Sequence, residues 1–293
     1  MSIKDHALLV SLSVSKPQMT AKDHKATVDA EVANNAHGAG QFRKDLYPKH
    51  LVAPILQVES SARAYIERTT YSWARGEFVL PMARFMDFTD RIGKYEIEFA
   101  QAVTAFLNNW SNVMTEAQAR QGALFDANAY PDLSDLKSEF RFRVLYRPIT
   151  DMNDFRVQCQ EEELDTLRKQ VEEATRESMN AMLRTPLERL REVVAKLADV
   201  TAKPDREVVN GKTGATEVKP PIFRDSVVDN IMEEINLLHD FAAVMPTDVL
   251  TLAKNVADTT PHPQTLRDDP DKRKDTNVRA TALLAAIDNM LEF

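Results

Sequence analysis

The stretch FRFRVLYR at residues 140–147 decides how the rest of the chain is read. Phe140, Phe142, Val144 and Tyr146 alternate with Arg141, Arg143, Leu145 and Arg147. Successive side chains of a β-strand point to opposite faces, so this period of two separates an aromatic face from a cationic one. Pro148 ends the run, because it has no N–H for a ladder. The same period appears near the N-terminus, where Leu8, Val10, Leu12 and Val14 share one face of an expected second strand. Upstream, Ala129, Tyr130, Pro131 and Asp132 form a turn, and residues 133–138 read as a short helix.

Almost everything else carries helical spacing. Ile55, Val58, Ala62 and Ile66 recur at three and four within an expected helix over 51–69. Phe85, Phe88, Ile92, Tyr95, Phe99, Val103, Phe106 and Trp110 form an aromatic seam along a helix expected over 83–121, with Gly122 at its end. Thr20 is the expected cap of a helix that stops at His37 to Gly40, while Trp73 to Pro81 reads as a packed apolar loop. A charged helical stretch occupies 154–202, with Glu161, Glu162 and Glu163 early, where the macrodipole favours negative charge. Within it, Thr185, Pro186 and Glu188 read as a fresh N-terminus, which implies two helices or one kinked helix. Further helices are expected over 226–243, 248–257 and 275–291, the last carrying Val278, Ala282, Leu283, Ile287 and Met290. The polar segment 203–221 reads equally as an exposed hairpin over 206–218 or as a loop.

The expected fold is therefore mainly α. It is an elongated multi-helix assembly with a small antiparallel β element, in which the N-terminal strand pairs with the strand at 140–147. A helical domain with that β element would occupy 1–150, and a helical extension with the polar loop would occupy 151–293. Only 7 of the 293 residues are Gly, which argues against a Gly-rich barrel or a phosphate-cradling α/β sheet. No apolar run reaches membrane-spanning length, and the N-terminal apolar stretch is too short for a signal peptide. The single Cys159 excludes an internal disulfide framework and fits a reducing cytoplasm. A formal charge of −8 argues against whole-chain attraction to nucleic acid or anionic lipid, though a local basic face still can bind.

Scattered positions resemble one known family. They are Thr69, Thr70, Tyr71, Ser72 and Trp73 with Gly76, Leu80 and Pro81; Gly122, Ala123, Leu124 and Phe125 leading to Tyr130 and Pro131; and Phe140, Pro148, Asp154, Phe155, Arg156 and Val157. The family is the uncharacterised, mostly helical one carried by phages and integrative elements. Its genes often lie beside those of a MoxR-like AAA ATPase and a von Willebrand factor A-like protein, sometimes near recombination genes. The resemblance covers about residues 1–200. It implies a mobile-element origin and a working link to an ATPase, and it carries over no catalytic residue.

Candidate sites are few. Gly211, Lys212 and Thr213 end like a phosphate-binding loop, but Arg206 stands where that loop requires glycine. The 6 histidines include no pair at helical spacing, so spacing advertises no metal site. Asp126, Asn128, Tyr130 and Asp132 lack the central Gly and terminal Glu of a calcium hand and read as turn-formers. No cofactor and no catalytic residue is expected. Arg168, Lys169, Glu172, Glu173 and Arg176 make a solvated charged face suited to helix pairs or to a partner interface. Arg141, Arg143 and Arg147 are the nucleic-acid candidates, although the aromatics that would stack on bases lie on the opposite face. The expected role is a non-enzymatic adaptor that self-assembles as a homo-oligomer or works with an AAA ATPase. The alternative is a single-stranded nucleic-acid-binding protein of a recombination or replication module.

Overall fold

The computed structural model describes residues 3–149, 161–209, 216–221 and 223–292. The fold is mainly helical, with a small antiparallel β element, as the periodicities indicate. In chain order the described residues form β1 (Ala7–Ser15), β2 (Thr20–Lys22), α1 (His24–Ala33), β3 (Arg43–Asp45), α2 (Lys49–Thr69), β4 (Tyr71–Ala74) and β5 (Glu77–Pro81). Then follow α3 (Phe85–Asn108), α4 (Trp110–Gln121), α5 (Leu133–Glu139), β6 (Arg141–Pro148) and α6 (Glu161–Ala202). The remainder comprises β7 (Arg206–Val209), β8 (Thr216–Lys219), α7 (Ser226–Asp240), α8 (Thr247–Thr259), α9 (Pro263–Asp268) and α10 (Pro270–Leu291). No described helix is long and apolar enough to cross a membrane.

Four strands make one sheet in the order β4-β5-β1-β6, so the N-terminal strand lies beside the 141–148 strand, as expected. β7 and β8 pair antiparallel, with Arg206 opposite Lys219 and Val209 opposite Thr216, which resolves the hairpin-or-loop alternative in favour of the hairpin. Residues 210–215, including the Gly-Lys-Thr triplet, lie outside the described residues.

The chain divides into two compact units, one of 1–9, 69–85 and 147–293 and one of 10–68 and 86–146. The cut at 146/147 is near the expected boundary at 150/151, but the larger unit also takes in residues 1–9 and 69–85. The four cuts fall inside β1, before the last residue of α2, after the first residue of α3, and inside β6. The first unit centres on α6, whose Met182, Leu187, Leu190, Val194 and Leu197 are buried with Tyr71 and Val79 of the β4–β5 hairpin. Ile231, Ile235 and Leu238 of α7, Val249 and Leu252 of α8, and Ala280 and Ile287 of α10 complete that core. The second unit packs the α3 seam, including Phe99, Val103 and Phe106, with Leu46, Tyr47, Val52, Ile55, Val113 and Leu136.

Four local readings are corrected. Trp73 to Pro81 is not a loop: β4 and β5 pair with Tyr71 opposite Val79 and Ser72 opposite Phe78. Gly76 makes the turn at φ +77, a left-handed conformation that glycine adopts without a Cβ clash. Thr20 does not cap a helix, because it opens β2. Asp23 caps α1 instead, its carboxylate accepting the Ala26 N–H at 3.0 Å. The 83–121 helix is two helices, with Asn109 between α3 and α4. Finally, α6 runs unbroken through Pro186. The Thr185 hydroxyl donates back to the Ala181 carbonyl at 2.8 Å and so caps nothing. The buried stripe from Met182 to Leu197 spans the proline, and that packing holds the helix together where the local signature reads as a start. The beginning of the charged stretch, 154–160 with Cys159, lies outside the described residues.

Candidate interaction edge

β6 is the last strand of its sheet and has β1 as its neighbour; among the described residues no strand lies on its other side. Its aromatic face rests on α3 in opposed order. Phe106 meets Phe140 at 5.9 Å between ring centroids, Phe99 meets Phe142 at 5.5 Å, and Phe88 meets Tyr146 at 6.4 Å. Two residues of strand advance roughly 7 Å and seven of helix roughly 10 Å, so the two periods drift apart along the contact and the length of the rings bridges the difference. Edge-to-face and tilted pairs of this kind each add about 0.5–1.5 kcal/mol beyond the area they bury.

The arginine face points the other way. Arg141 is exposed, and its Nε donates to the Ser138 carbonyl at 3.0 Å, which leaves most of the guanidinium facing water. Arg143 is exposed and pairs with no described acid. Arg147 is held in an ion pair with Glu77. Of the three arginines, two therefore present available charge. Leu145, 42% exposed, shares their face.

A groove of about 250 Å³ lies against β6, lined by Phe99, Val103 and Leu107 of α3 and by Phe140 and Phe142, with the charged residues Glu96 and Lys137 also in its lining. Periodicity alone assigns these residues to a closed core. The visible hint is that beyond Glu96 the seam continues sideways on α3 through Ala100, Thr104 and Leu107, which are uncharged.

The charged face of α6 is also exposed. Lys169, Glu172, Glu173 and Arg176 face solvent, and Arg176 reaches Glu173 at 3.3 Å, whereas the Arg168 side chain lies outside the described residues. A pair this exposed contributes at most a few tenths of a kcal/mol.

Several polar groups elsewhere pair with one another. In the first unit the Tyr71 hydroxyl donates to Glu234 at 3.1 Å, and Arg189 lies 3.7 Å from Glu234 while donating to the Thr70 carbonyl at 2.8 Å. Arg84 pairs with Asp240. Burial pushes the Glu234 carboxyl up, against the pull of Arg189, the Tyr71 hydrogen bond and Arg84. Sequence reasoning passed over Glu234. Its signal was an acid beside Ile231 and Ile235 on a core-facing helix stripe. In the second unit, the side chains of an open cleft lined by Asp45, Lys49, His50, Glu116 and Arg120 contact one another: Lys49 and Arg120 both reach Asp45, at 3.4 and 3.6 Å, and His50 lies 3.3 Å from Glu116. Asp126 accepts the Asn128 N–H at 3.0 Å, the turn expected there. Among the described residues, no group of three or more His, Cys, Asp or Glu is placed to hold a metal ion.

No family model, no curated protein and no solved structure matches this chain.

Proposed function

We propose that this chain is a non-enzymatic adaptor that binds protein partners along the outer edge of β6. One observation carries the reading: a strand that is an edge among the described residues, with two exposed arginines, runs beside a mostly apolar groove, so polar and apolar contacts are available on one narrow surface. The exposed charged face of α6 offers a second surface, suited to a partner helix or a further copy of the chain. The resemblance to mobile-element proteins makes an AAA ATPase the first partner to test, and a host cytoplasm the setting.

Binding of single-stranded nucleic acid in a recombination or replication module is the second reading. Exposed Arg141 and Arg143 support it through phosphate contacts. Weighing against it, the face they share with Leu145 and Arg147 carries no aromatic on which a base could stack.

Light scattering of the purified chain, alone and mixed with a MoxR-like ATPase, separates these readings. A complex that weakens with Arg141→Glu/Arg143→Glu is the expected result. A chain that forms no complex but binds an oligonucleotide, with affinity falling steeply in salt, would reverse the preference. Metal-dependent turnover of any substrate would overturn both.

A further inference from the structure

We infer that β6 captures an extended, acidic segment of a partner protein as an added strand, one whose side chains alternate between apolar and carboxylate. The inference rests on the interaction reading above and specifies the kind of partner.

The backbone comes first. An edge strand leaves a row of N–H and C=O groups without ladder partners, a template for another strand. β6 is such an edge among the described residues, and its eight residues give room for a full-length added strand.

Side chains then select what can dock. An added strand would keep the pleat of β6, so alternate residues would fall on its aromatic face beside Phe140 and Phe142. There they would meet the groove lined by Phe99 and Val103 and, along one wall, by Ala100, Thr104 and Leu107; Glu96 and Lys137 also line it, one acid and one base. On the helical wheel these wall residues lie to one side of the α3 core stripe. Tyr95 lies on the other side, turned toward Tyr65 of α2 at 6.0 Å. The groove is therefore on the flank of α3 away from α2, beside the outermost strand, where an added strand needs apolar cover.

The other half of the added strand would lie beside Arg141 and Arg143. Cross-strand neighbours on one face are close enough for opposite charges to attract and like charges to repel. A second copy pairing through β6 would set arginine against arginine: antiparallel pairing centred on Val144 opposes Arg141 to Arg147, and centring on Phe142 opposes Arg141 to Arg143. The arginines thus refuse a second β6 and favour Asp or Glu at alternate positions. Nucleic acid would engage the arginines but leave the groove and the backbone edge unused.

The test uses the whole chain and short labelled peptides, read by fluorescence anisotropy. A peptide alternating Val and Glu should bind at least about tenfold more tightly than one alternating Val and Lys. Arg141→Glu/Arg143→Glu, both at exposed positions, should reverse that order. Two N-methylated forms of the Val–Glu peptide provide a check that cannot disturb the fold of the protein. Methyl groups on the N–H set facing β6 should abolish binding, and methyl groups on the alternate set should leave it intact. Equal binding of both methylated forms, equal binding of the Glu and Lys peptides, or tighter binding of a single-stranded oligonucleotide would overturn the inference. If no peptide binds while the ATPase complex still forms, strand addition fails and the adaptor reading survives. If neither binds, both fail.

Discussion

The hydroxyl of Tyr71 donates to the carboxylate of Glu234 at 3.1 Å inside the core of the first unit, joining a strand to a helix far away in sequence. Tyr71 is also tilted against Phe241 at 4.5 Å between ring centroids and has the Arg189 guanidinium over its face at 5.2 Å. Burial raises both Tyr71 and Glu234 above their usual values. A carboxyl raised on folding holds its proton to higher pH than the unfolded chain does. Its contribution to stability is full below the unfolded value of about 4.3 and is lost as pH rises through the raised folded value.

Glu234→Gln, which stays neutral and still accepts from Tyr71, is expected to lack that loss. Urea unfolding of the two proteins across mildly acidic to neutral pH should show the native chain losing stability relative to the variant as pH rises. Glu234→Ala should cost about 1–3 kcal/mol, because it leaves the buried Tyr71 hydroxyl without its acceptor.

Glu59 in the second unit behaves in the opposite sense. Burial pushes its carboxyl up, but hydrogen bonds and charge from Lys16 and Arg63 outweigh burial and hold it below the usual value. Arg63 donates to it at 3.1 and 3.0 Å. The resulting stability is present above the unfolded value and is lost as pH falls through the lowered folded value. Glu59→Gln should therefore destabilise the chain by roughly 1–3 kcal/mol at neutral pH, and the gap should close on acidification. A gap that persists at the acid end would show that packing, not charge, makes the contribution.

Tyr47 is 3% exposed, and its hydroxyl has no hydrogen-bond partner among the described residues. Its ring is well placed, edge-on to Phe106 at 5.7 Å and to Tyr130 at 5.8 Å. Tyr47→Phe keeps those contacts and removes a desolvated polar group. The variant should be as stable as the parent or more so, by up to about 1 kcal/mol in chemical denaturation. A loss above about 1 kcal/mol would mean that the hydroxyl has a partner, such as a buried water.

Pro186 sits within α6, where it supplies no N–H to the carbonyl one turn earlier. Pro186→Ala restores that donor and removes the ring clash, at the cost of a freer unfolded chain. The balance should favour the variant by about 1 kcal/mol, read as a higher denaturation midpoint with an unchanged denaturant slope. A loss of stability would count against the continuous helix.

Sequence read well where one period governed a whole element and packing agreed with it. The α3 seam and the alternation in β6 were each visible alone, and their meeting across Phe106 and Phe140 follows from two stripes that both need cover. The β4–β5 hairpin was hidden because Tyr71, Trp73, Val79, Leu80 and Pro81 are all buried. β5 is covered on both faces at Val79, Leu80 and Pro81 and so shows no alternation, and β4, at four residues, is too short for its alternation to stand out. The start of α1 was misplaced because Thr20 and Asp23 are both good caps, and only the pairing of β2 with β3, Thr20 opposite Asp45, chooses between them. The capping signature at Thr185 was overruled by a buried stripe extending well beyond its few residues. The edge of β6 and its groove were illegible for a simpler reason. Alternation says that a strand has two faces, but not how many neighbours it has.

The adjacency of β1 and β6 sets a timetable for synthesis. β1 leaves the ribosome before both its neighbours, and the edge that receives β6 stays uncovered longest, because β5 begins at Glu77 but β6 only at Arg141. At typical translation speeds the first strand waits on the order of ten seconds. During that interval its apolar alternation is open to chaperones or to neighbouring nascent chains, so the yield of folded protein should depend on how well residues 7–15 are shielded until β6 emerges.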